Sequence, residues 1–162
     1  EHLKSKTEIT PITQQNLLYA LEAAFFIRRI PIEGGKKGFT VIFEDQAESF
    51  LLSQNQLQRS VQLTHLLFRN ISTEFYYRLN KDINFFQYRS RGGVVIPLAL
   101  RSADACLGFM PIAASMPSRA EILSAQSFLK TYLNSKVIFF HENKEIHAVN
   151  ERLLSLPIAA LL

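Results

Sequence analysis

Residues 88–100 have the sequence YRSRGGVVIPLAL. Two runs of strand-forming residues flank the Gly92-Gly93 pair, and glycine supplies the positive φ angles that a tight hairpin turn needs. The stretch therefore predicts a β-hairpin over residues 83–100. Pro97 falls in its second strand and has no backbone N–H, so we expect it at an edge, at a bulge or at the end of a strand.

The sequence around this hairpin predicts helices on both sides of it. Apolar residues at helical spacing predict a long helix over residues 56–79, directly before the hairpin. A third apolar strand is predicted at residues 106–114, and Ser118 with Glu121 forms a capping box that begins another helix. Further strands are predicted at residues 136–141 and beyond. This order predicts a mixed α/β fold in which helices cover a sheet.

The N-terminal part predicts a smaller unit. Thr10 is a favoured N-cap and Pro11 suits the first helical position, so a helix begins there. Two strands are then predicted at residues 27–32 and 39–43, with the glycine-rich turn EGGKKG at residues 33–38 between them. These elements follow the order of the closing half of a winged helix, which is a helix, a strand, a glycine-rich turn and a second strand. In that motif the turn is the wing.

Length and composition limit the class of protein. The chain has 162 residues and is 48% hydrophobic, which suits one medium domain or two small ones. The polar run at residues 53–56 predicts a boundary between a domain at 1–55 and a domain at 56–162. The sequence does not begin with Met, so we expect a piece of a longer chain. A single cysteine, Cys106, excludes an internal disulfide and indicates a reducing cytoplasm.

The charge distribution permits contact with nucleic acid. The net charge is +4, and the excess of Lys and Arg falls within residues 1–103. The candidate phosphate-contacting residues are Arg28, Arg29, Lys36 and Lys37 around the wing and Arg89 and Arg91 in the hairpin. The aromatic residues Phe85, Phe86 and Tyr88 could stack on bases, but we favour a core role for them and a solvated surface for the arginines.

In order and spacing, residues 10–162 resemble the C-terminal region of a group of bacterial and archaeal AAA-type ATPases. There, an ATPase module is followed by a winged helix and then by a nuclease-like domain. Residues 13–22 resemble its winged-helix segment, residues 39–47 its following strand, and residues 88–93 its hairpin. The resemblance implies an upstream ATPase domain in the same chain as a partner, because this sequence contains no GxxxxGK[ST] phosphate loop.

The second predicted domain resembles the PD-(D/E)xK nuclease fold, whose chemistry needs acidic residues around Mg²⁺ and a nearby lysine. The family's acids and lysine correspond here to Arg69, Val95, Pro97, Ala113 and Ser115. Residues 108–118 contain no Asp, Glu or Lys. We therefore expect a degenerate nuclease-like domain with no catalytic residues, no metal and no cofactor.

The sequence predicts a non-catalytic accessory or recognition region of an AAA-type ATPase, which contacts a protein partner or nucleic acid. One alternative is a Mg²⁺-dependent nuclease with relocated acids, such as Glu74, Asp82 or Asp104. Another is a DNA-binding module that works through the basic wing. A metal site in the segment at residues 141–147 is disfavoured, since its histidines and glutamates are predicted at a polar hairpin tip.

Overall fold

A computed structural model describes residues 9–35, 37–44, 58–78, 83–102 and 105–161. The elements in chain order are α1 (Pro11–Ala23), β1 (Ile27–Gly34), β2 (Phe39–Phe43), α2 (Arg59–Thr73) with a π-helical turn (Glu74–Arg78), β3 (Asn84–Arg89), β4 (Val95–Ser102), β5 (Ala105–Pro111), α3 (Arg119–Thr131), β6 (Ser135–His141), β7 (His147–Asn150), β8 (Leu153–Pro157) and a 3-10 turn (Ile158–Leu161). The predicted joint at residues 53–56 and the predicted end of the long helix near residue 79 lie outside the described residues.

The strands form one sheet in the order β2-β1-β3-β4-β5-β6-β8-β7. Three neighbouring pairs, β1 with β3, β5 with β6 and β6 with β8, are parallel, and the other four are antiparallel. The mixed α/β class predicted from the sequence is therefore confirmed. Strand β1 pairs with β3 through Ile32 opposite Gln87 and Gly34 opposite Arg89. The N-terminal hairpin and the later strands thus belong to the same sheet.

Apolar side chains form a core on each face of the sheet. Successive residues of a strand point to opposite faces, so Phe85 and Phe140 lie in the cluster with α2, while Phe86 and Phe139 lie in the cluster with α3. Phe86 and Phe139 are at most 1% exposed. The result is a three-layer arrangement in which the predicted helices cover both faces of the sheet.

Helix α3 is closed at both ends by side-chain hydrogen bonds. The Ser118 hydroxyl accepts from the backbone N–H of Glu121 at 3.3 Å, and a Glu121 carboxylate oxygen accepts from the backbone N–H of Ser118 at 2.6 Å. At the other end, the Arg152 guanidinium donates to backbone carbonyls at or just past the last turn. These carbonyls belong to Leu129, Tyr132, Leu133 and Ser135. Arg152 thereby satisfies acceptors that the helix end leaves without backbone partners.

Pro97 lies at a bulge inside the sheet. Phe86 pairs with Ala99 and Tyr88 pairs with Ile96, so one residue of β3 faces two residues of β4 between these pairs. Strand β4 lies between β3 and β5, and the position is therefore not an edge. A bulge is one of the three expected positions, and it removes the need for the backbone N–H that proline lacks.

Helix α1 begins as predicted but packs differently. The Thr10 hydroxyl accepts from the backbone N–H of Thr13 at 3.2 Å, which confirms the predicted cap. Unlike the other helices described, α1 buries none of its residues, although apolar residues recur along it at helical spacing. Leu17 is 50% exposed and Ile12 is 73% exposed. In the part of the chain that the structure describes, α1 thus presents apolar side chains to solvent.

Candidate functional site

A cleft lies beside Pro97, between α2 and the strands β4 and β5. One cavity of about 220 Å³ occupies it, and a second of about 120 Å³ shares Val61, Thr64 and Pro97 with the first. Val95, Met110 and Pro111 complete the apolar part of the first cavity. The residues that line the two cavities include the His65 imidazole, the Gln87 amide and the Met110 thioether, and the other side chains are aliphatic or carry a hydroxyl group. None of them is a carboxylate of the kind that a hard divalent cation prefers.

The five positions at which the resemblance leads us to expect the nuclease acids and lysine do not all lie in this cleft. Val95 and Pro97 line it together. Arg69 is on α2 but lines a different groove, described below. Ala113 and Ser115 lie in the loop after β5, where the Ser115 carbonyl accepts a hydrogen bond of 2.7 Å from the Ser155 hydroxyl.

His65 lines the smaller cavity from α2. It is 4% exposed, and its Nδ1 atom has no hydrogen-bond partner among the described residues. Burial lowers the pKa of His65 because the charged imidazolium would lose its hydration. The ring lies 5.8 Å from the Phe43 ring, centroid to centroid. These contacts make His65 a packing residue.

Arg28 and Arg29, two of the predicted phosphate-contacting residues, already have acidic partners. The Arg28 Nε lies 2.8 Å from a Glu44 carboxylate oxygen, and the Arg29 Nε donates to Glu22 at 2.7 Å. The hydrogen bond from Arg29 lowers the pKa of the Glu22 carboxyl. Arg29 also lies over the Tyr19 ring, 4.4 Å from its centroid. This arginine therefore attaches α1 to the N-terminal hairpin.

The other basic candidates gather at the opposite end of β1. The Gly35 N–H donates to the Arg89 carbonyl at 2.6 Å, and a Cβ atom at Gly35 would lie 2.3 Å from the backbone nitrogen of Arg91. Only glycine fits such a close approach of two backbones. The predicted wing turn and the hairpin tip are thus in contact, which brings exposed Lys37 and Arg91 to the same end of the sheet. Lys36 lies outside the described residues.

The aromatic residues of the hairpin are core residues. Phe85, Phe86 and Tyr88 are each at most 9% exposed. The Tyr88 hydroxyl lies 3.0 Å from the Thr131 hydroxyl of α3. The predicted core role of these rings is therefore confirmed, and they are not available to stack on bases.

A network of three polar side chains joins β1 to the rest of the sheet. Arg101 on β4 contacts a carboxylate oxygen of Glu33 at 2.6 Å, and the Tyr132 hydroxyl donates to the same oxygen at 3.0 Å. Burial, and then the hydrogen bond to Glu33, raise the pKa of Tyr132, so the hydroxyl keeps its proton. Arg101 also lies 5.0 Å from the centroid of the Phe86 ring. These contacts give Arg101 a structural role.

A further groove lies between the start of β1 and α2, and no sequence pattern singled out above predicted it. Its volume is about 470 Å³. The lining residues are Phe25, Arg28, Glu44, Arg69, Ser72, Thr73 and Tyr76. The four residues from the second helical segment have the spacing i, i+3, i+4 and i+7, which places them on one helix face. That polar spacing, opposite the apolar stripe of α2, is the signal that sequence reasoning missed.

Phe25 lies at the mouth of this groove in a strained backbone conformation. Its φ angle is 59° and its side chain is 76% exposed. The backbone N–H of Phe26 donates to the Leu21 carbonyl and that of Phe25 to the Glu22 carbonyl, which is the pattern of a Schellman cap. Glycine usually occupies this position, because a β-carbon is strained there. A bulky aromatic ring at such a site is an outlier of the kind that concentrates at functional sites.

His141 ends β6, which agrees with the strand predicted at residues 136–141, but its side chain is buried. His141 is 0% exposed, and neither of its ring nitrogens has a hydrogen-bond partner among the described residues. The expectation of a polar hairpin tip is therefore wrong for His141, since β6 continues into the core. His147 lies 3.0 Å from a Glu145 oxygen. Across the described ranges, no three His, Cys, Asp or Glu side chains are grouped to hold a metal ion.

Comparisons of the chain with family models, with curated proteins and with solved structures found no match. Within the ranges that the structure describes, no helix has both the length and the apolar character needed to cross a membrane. The function has to be inferred from the cleft beside Pro97, the exposed face of α1 and the groove between β1 and α2.

Proposed function

We propose that this chain is a non-catalytic recognition region of an AAA-type ATPase, formed by a winged-helix remnant and a degenerate PD-(D/E)xK-like domain. The observation that carries the proposal is the lining of the cleft beside Pro97. Val95 and Pro97 occupy positions that hold metal-binding acids in the resembling family, and Met110 and Pro111 complete the wall. These side chains cannot supply the charged oxygen ligands on which Mg²⁺-dependent hydrolysis depends.

The exposed face of α1 supports a protein partner. Large apolar residues in and beside this helix are 42% to 73% exposed, whereas each of the other two helices that the structure describes buries at least three residues in the core. The exposed residues are Ile12, Leu17, Tyr19, Phe26 and Phe39. Ile12 and Tyr19 are seven residues apart on one face of α1, and the Tyr19 and Phe39 rings both contact the Arg29 guanidinium, so these three residues form a contiguous surface of the kind that marks interaction sites. We propose that this face contacts the upstream ATPase domain that the resemblance implies.

A cleavage assay tests the absence of catalysis. We expect labelled single-stranded and double-stranded DNA to stay intact when the chain is added with Mg²⁺ or Mn²⁺. The matched control is the triple variant Glu74→Gln, Asp82→Asn and Asp104→Asn, purified in the same way. Metal-dependent cleavage by the wild-type chain that the triple variant lacks would establish the alternative of relocated acids and overturn the proposal.

A pair of matched variants tests the role of α1. In the full-length chain, Ile12→Asp on α1 should weaken the coupling of this region to the ATPase domain and change the rate of ATP hydrolysis. The matched control is Leu123→Asp on α3. The Leu123 side chain is 55% exposed, and its substitution should leave the rate of ATP hydrolysis unchanged. Equal rates for the Ile12 variant and the wild type would argue against α1 as the contact surface.

The alternative of a DNA-binding wing has less support. Arg29 is held by the Glu22 carboxylate, and Arg28 lines the groove beside α2 rather than the wing turn, so neither extends from the wing toward a duplex. Lys37 and Arg91 at the hairpin tip are the exposed basic pair that such a function would use. The contribution of Arg91 is measured by Arg91→Ala in a binding titration with labelled oligo(dT).

A further inference from the structure

We propose that the groove between β1 and α2 binds one nucleotide unit, either free or within a single strand, through its phosphate and its aromatic base. This inference deepens the proposed role in recognition and rests on it. The groove lies apart from the cleft beside Pro97, because the residues that line the two spaces do not overlap. It combines cationic groups, a buried hydroxyl and exposed rings.

The cationic groups suit a phosphate. Arg69 is exposed on α2 and has no ion-pair partner among the described residues, while Arg28 extends from β1 into the same groove. Glu44 contacts the Nε of Arg28 at 2.8 Å, and a guanidinium has five N–H donors, so this ion pair orients Arg28 without using all of them. Planar guanidinium groups bind phosphate oxygens in pairs of hydrogen bonds. The charge balance of Arg28, Arg69 and Glu44 leaves one net positive charge.

A buried hydroxyl group in the groove has no protein partner. The Ser72 Oγ is inaccessible to solvent and makes no hydrogen bond within the described part of the chain. Such a group is costly unless something supplies the missing hydrogen bond. Ser72 follows Arg69 by three residues on α2, so both residues line the same groove. Rotation of the Ser72 side chain about its Cα–Cβ bond would turn the Oγ toward the groove, where a phosphate oxygen or a sugar hydroxyl would satisfy it.

The exposed rings suit a base. Phe25 and Tyr76 are 76% and 61% exposed and border the groove. The unusual φ angle of Phe25 keeps an aromatic side chain at a position where glycine would be easier to accommodate. Tyr76 lies in the π-helical turn, a form of backbone that is frequent at functional sites. Aromatic faces next to arginines form the usual surface for a single-stranded nucleic acid.

The size of the groove agrees with one nucleotide. Its volume of about 470 Å³ lies within the usual range of small-molecule sites, which is about 300 to 1,000 Å³. Glu44 contributes a carboxylate, which opposes a second anion close to Arg28. A single phosphate with an attached base therefore fits the groove better than a polyphosphate chain alone.

The experiment is a fluorescence-anisotropy titration of the intact chain with a short labelled oligo(dT), in low salt and EDTA. We expect Arg69→Ala to weaken binding about tenfold, from the loss of charge-assisted hydrogen bonds. Phe25→Gly should weaken it about fivefold through lost stacking, although it relieves backbone strain and so keeps the fold. Lys130→Ala, at an exposed position on α3, is the control and should bind like the wild type.

Competitors distinguish the source of the nucleotide. Displacement of the probe by AMP as well as by unlabelled oligo(dT) indicates a site for free nucleotides, and displacement by oligo(dT) alone indicates a single strand. Both results support the groove when Arg69→Ala and Phe25→Gly are defective. Recognition of a base would be overturned if inorganic phosphate displaced the probe as effectively as AMP does and if Phe25→Gly bound the probe normally.

Two further outcomes would also overturn the proposal. One is no binding at low salt by the wild-type chain. The other is normal binding by Arg69→Ala while Arg91→Ala loses affinity, because the probe would then occupy the hairpin tip. Failure of the proposed function gives a different result, namely metal-dependent cleavage of the same oligonucleotide. Binding in EDTA and cleavage with Mg²⁺ are measured separately, so each proposal can fail alone.

Discussion

Helices α1 and α3 each have 13 residues, and they use their apolar side chains in opposite ways. Helix α3 buries Ala125, Phe128 and Leu129 against the sheet. Helix α1 buries none of its residues and is attached through polar and cation–π contacts, chiefly those of Arg29. Burial of apolar surface provides most of the stability of a fold. The comparison therefore separates a region that stabilises the protein from a region whose apolar surface is available for recognition.

The largest expected effect comes from truncation of the α3 core. Phe128 is 0% exposed, so Phe128→Ala should reduce the free energy of unfolding by about 3 to 5 kcal/mol through lost burial and a new cavity. Leu17→Ala on α1 should change it by less than about 0.5 kcal/mol, as is usual for surface positions. Urea unfolding followed by circular dichroism measures both. Similar losses for the two variants would remove the distinction between the helices.

A smaller effect is expected at the C-terminal end of α3. Arg152→Met keeps the aliphatic stem but removes the guanidinium hydrogen bonds to the helix carbonyls. We expect the free energy of unfolding to fall by about 2 kcal/mol, because buried acceptors then lack partners. Lys130→Met, in the last turn of the same helix, is the matched control and should cost little. A loss below about 0.5 kcal/mol for Arg152→Met would mean that water replaces the guanidinium.

At the C-terminal end of α1 we expect a gain in stability. Phe25→Gly removes the strain of a positive φ angle at a non-glycine residue and should raise the free energy of unfolding by about 1 kcal/mol. Leu17→Gly, within α1, should instead lower it by about 1 kcal/mol. If Phe25→Gly destabilises the chain, the ring contributes packing that its 76% exposure does not indicate.

The smallest expected effect is a pH dependence from His65. The folded-state pKa of His65 is lowered, so the ring stays neutral in the fold while the unfolded chain binds a proton below about pH 6.5. The contribution to stability is therefore complete above that pH and declines as the pH falls, by at most about 0.7 kcal/mol between pH 7 and 6. Denaturant unfolding at both pH values should show a smaller decline for His65→Leu. His147→Gln on β7 should retain the wild-type decline.

Local elements were predictable from nearby residues. Thr10, Pro11, Ser118 and Glu121 mark helix starts because each cap forms within three residues along the chain. The hairpin strands followed from alternation and the glycine turn. The candidate groove was not predictable, because Arg28 and Arg69 are 41 positions apart in the sequence and come together only when α2 packs beside the N-terminal hairpin. Burial of His141 was missed because the sequence does not show that β6 lies inside the sheet, between β5 and β8.

The sequence alone thus determined the positions of helices and strands, the hairpin turn and the lack of acidic residues at positions 69, 95, 97, 113 and 115. These features depend on hydrogen bonds and side-chain periodicity within a few residues, and on residue identity. Tertiary structure decided the parallel pairing of β1 with β3, the placement of Pro97 in an interior bulge and the exposure of α1. Each depends on contacts between distant segments, and the free energy of those contacts cannot be evaluated until the segments are placed side by side.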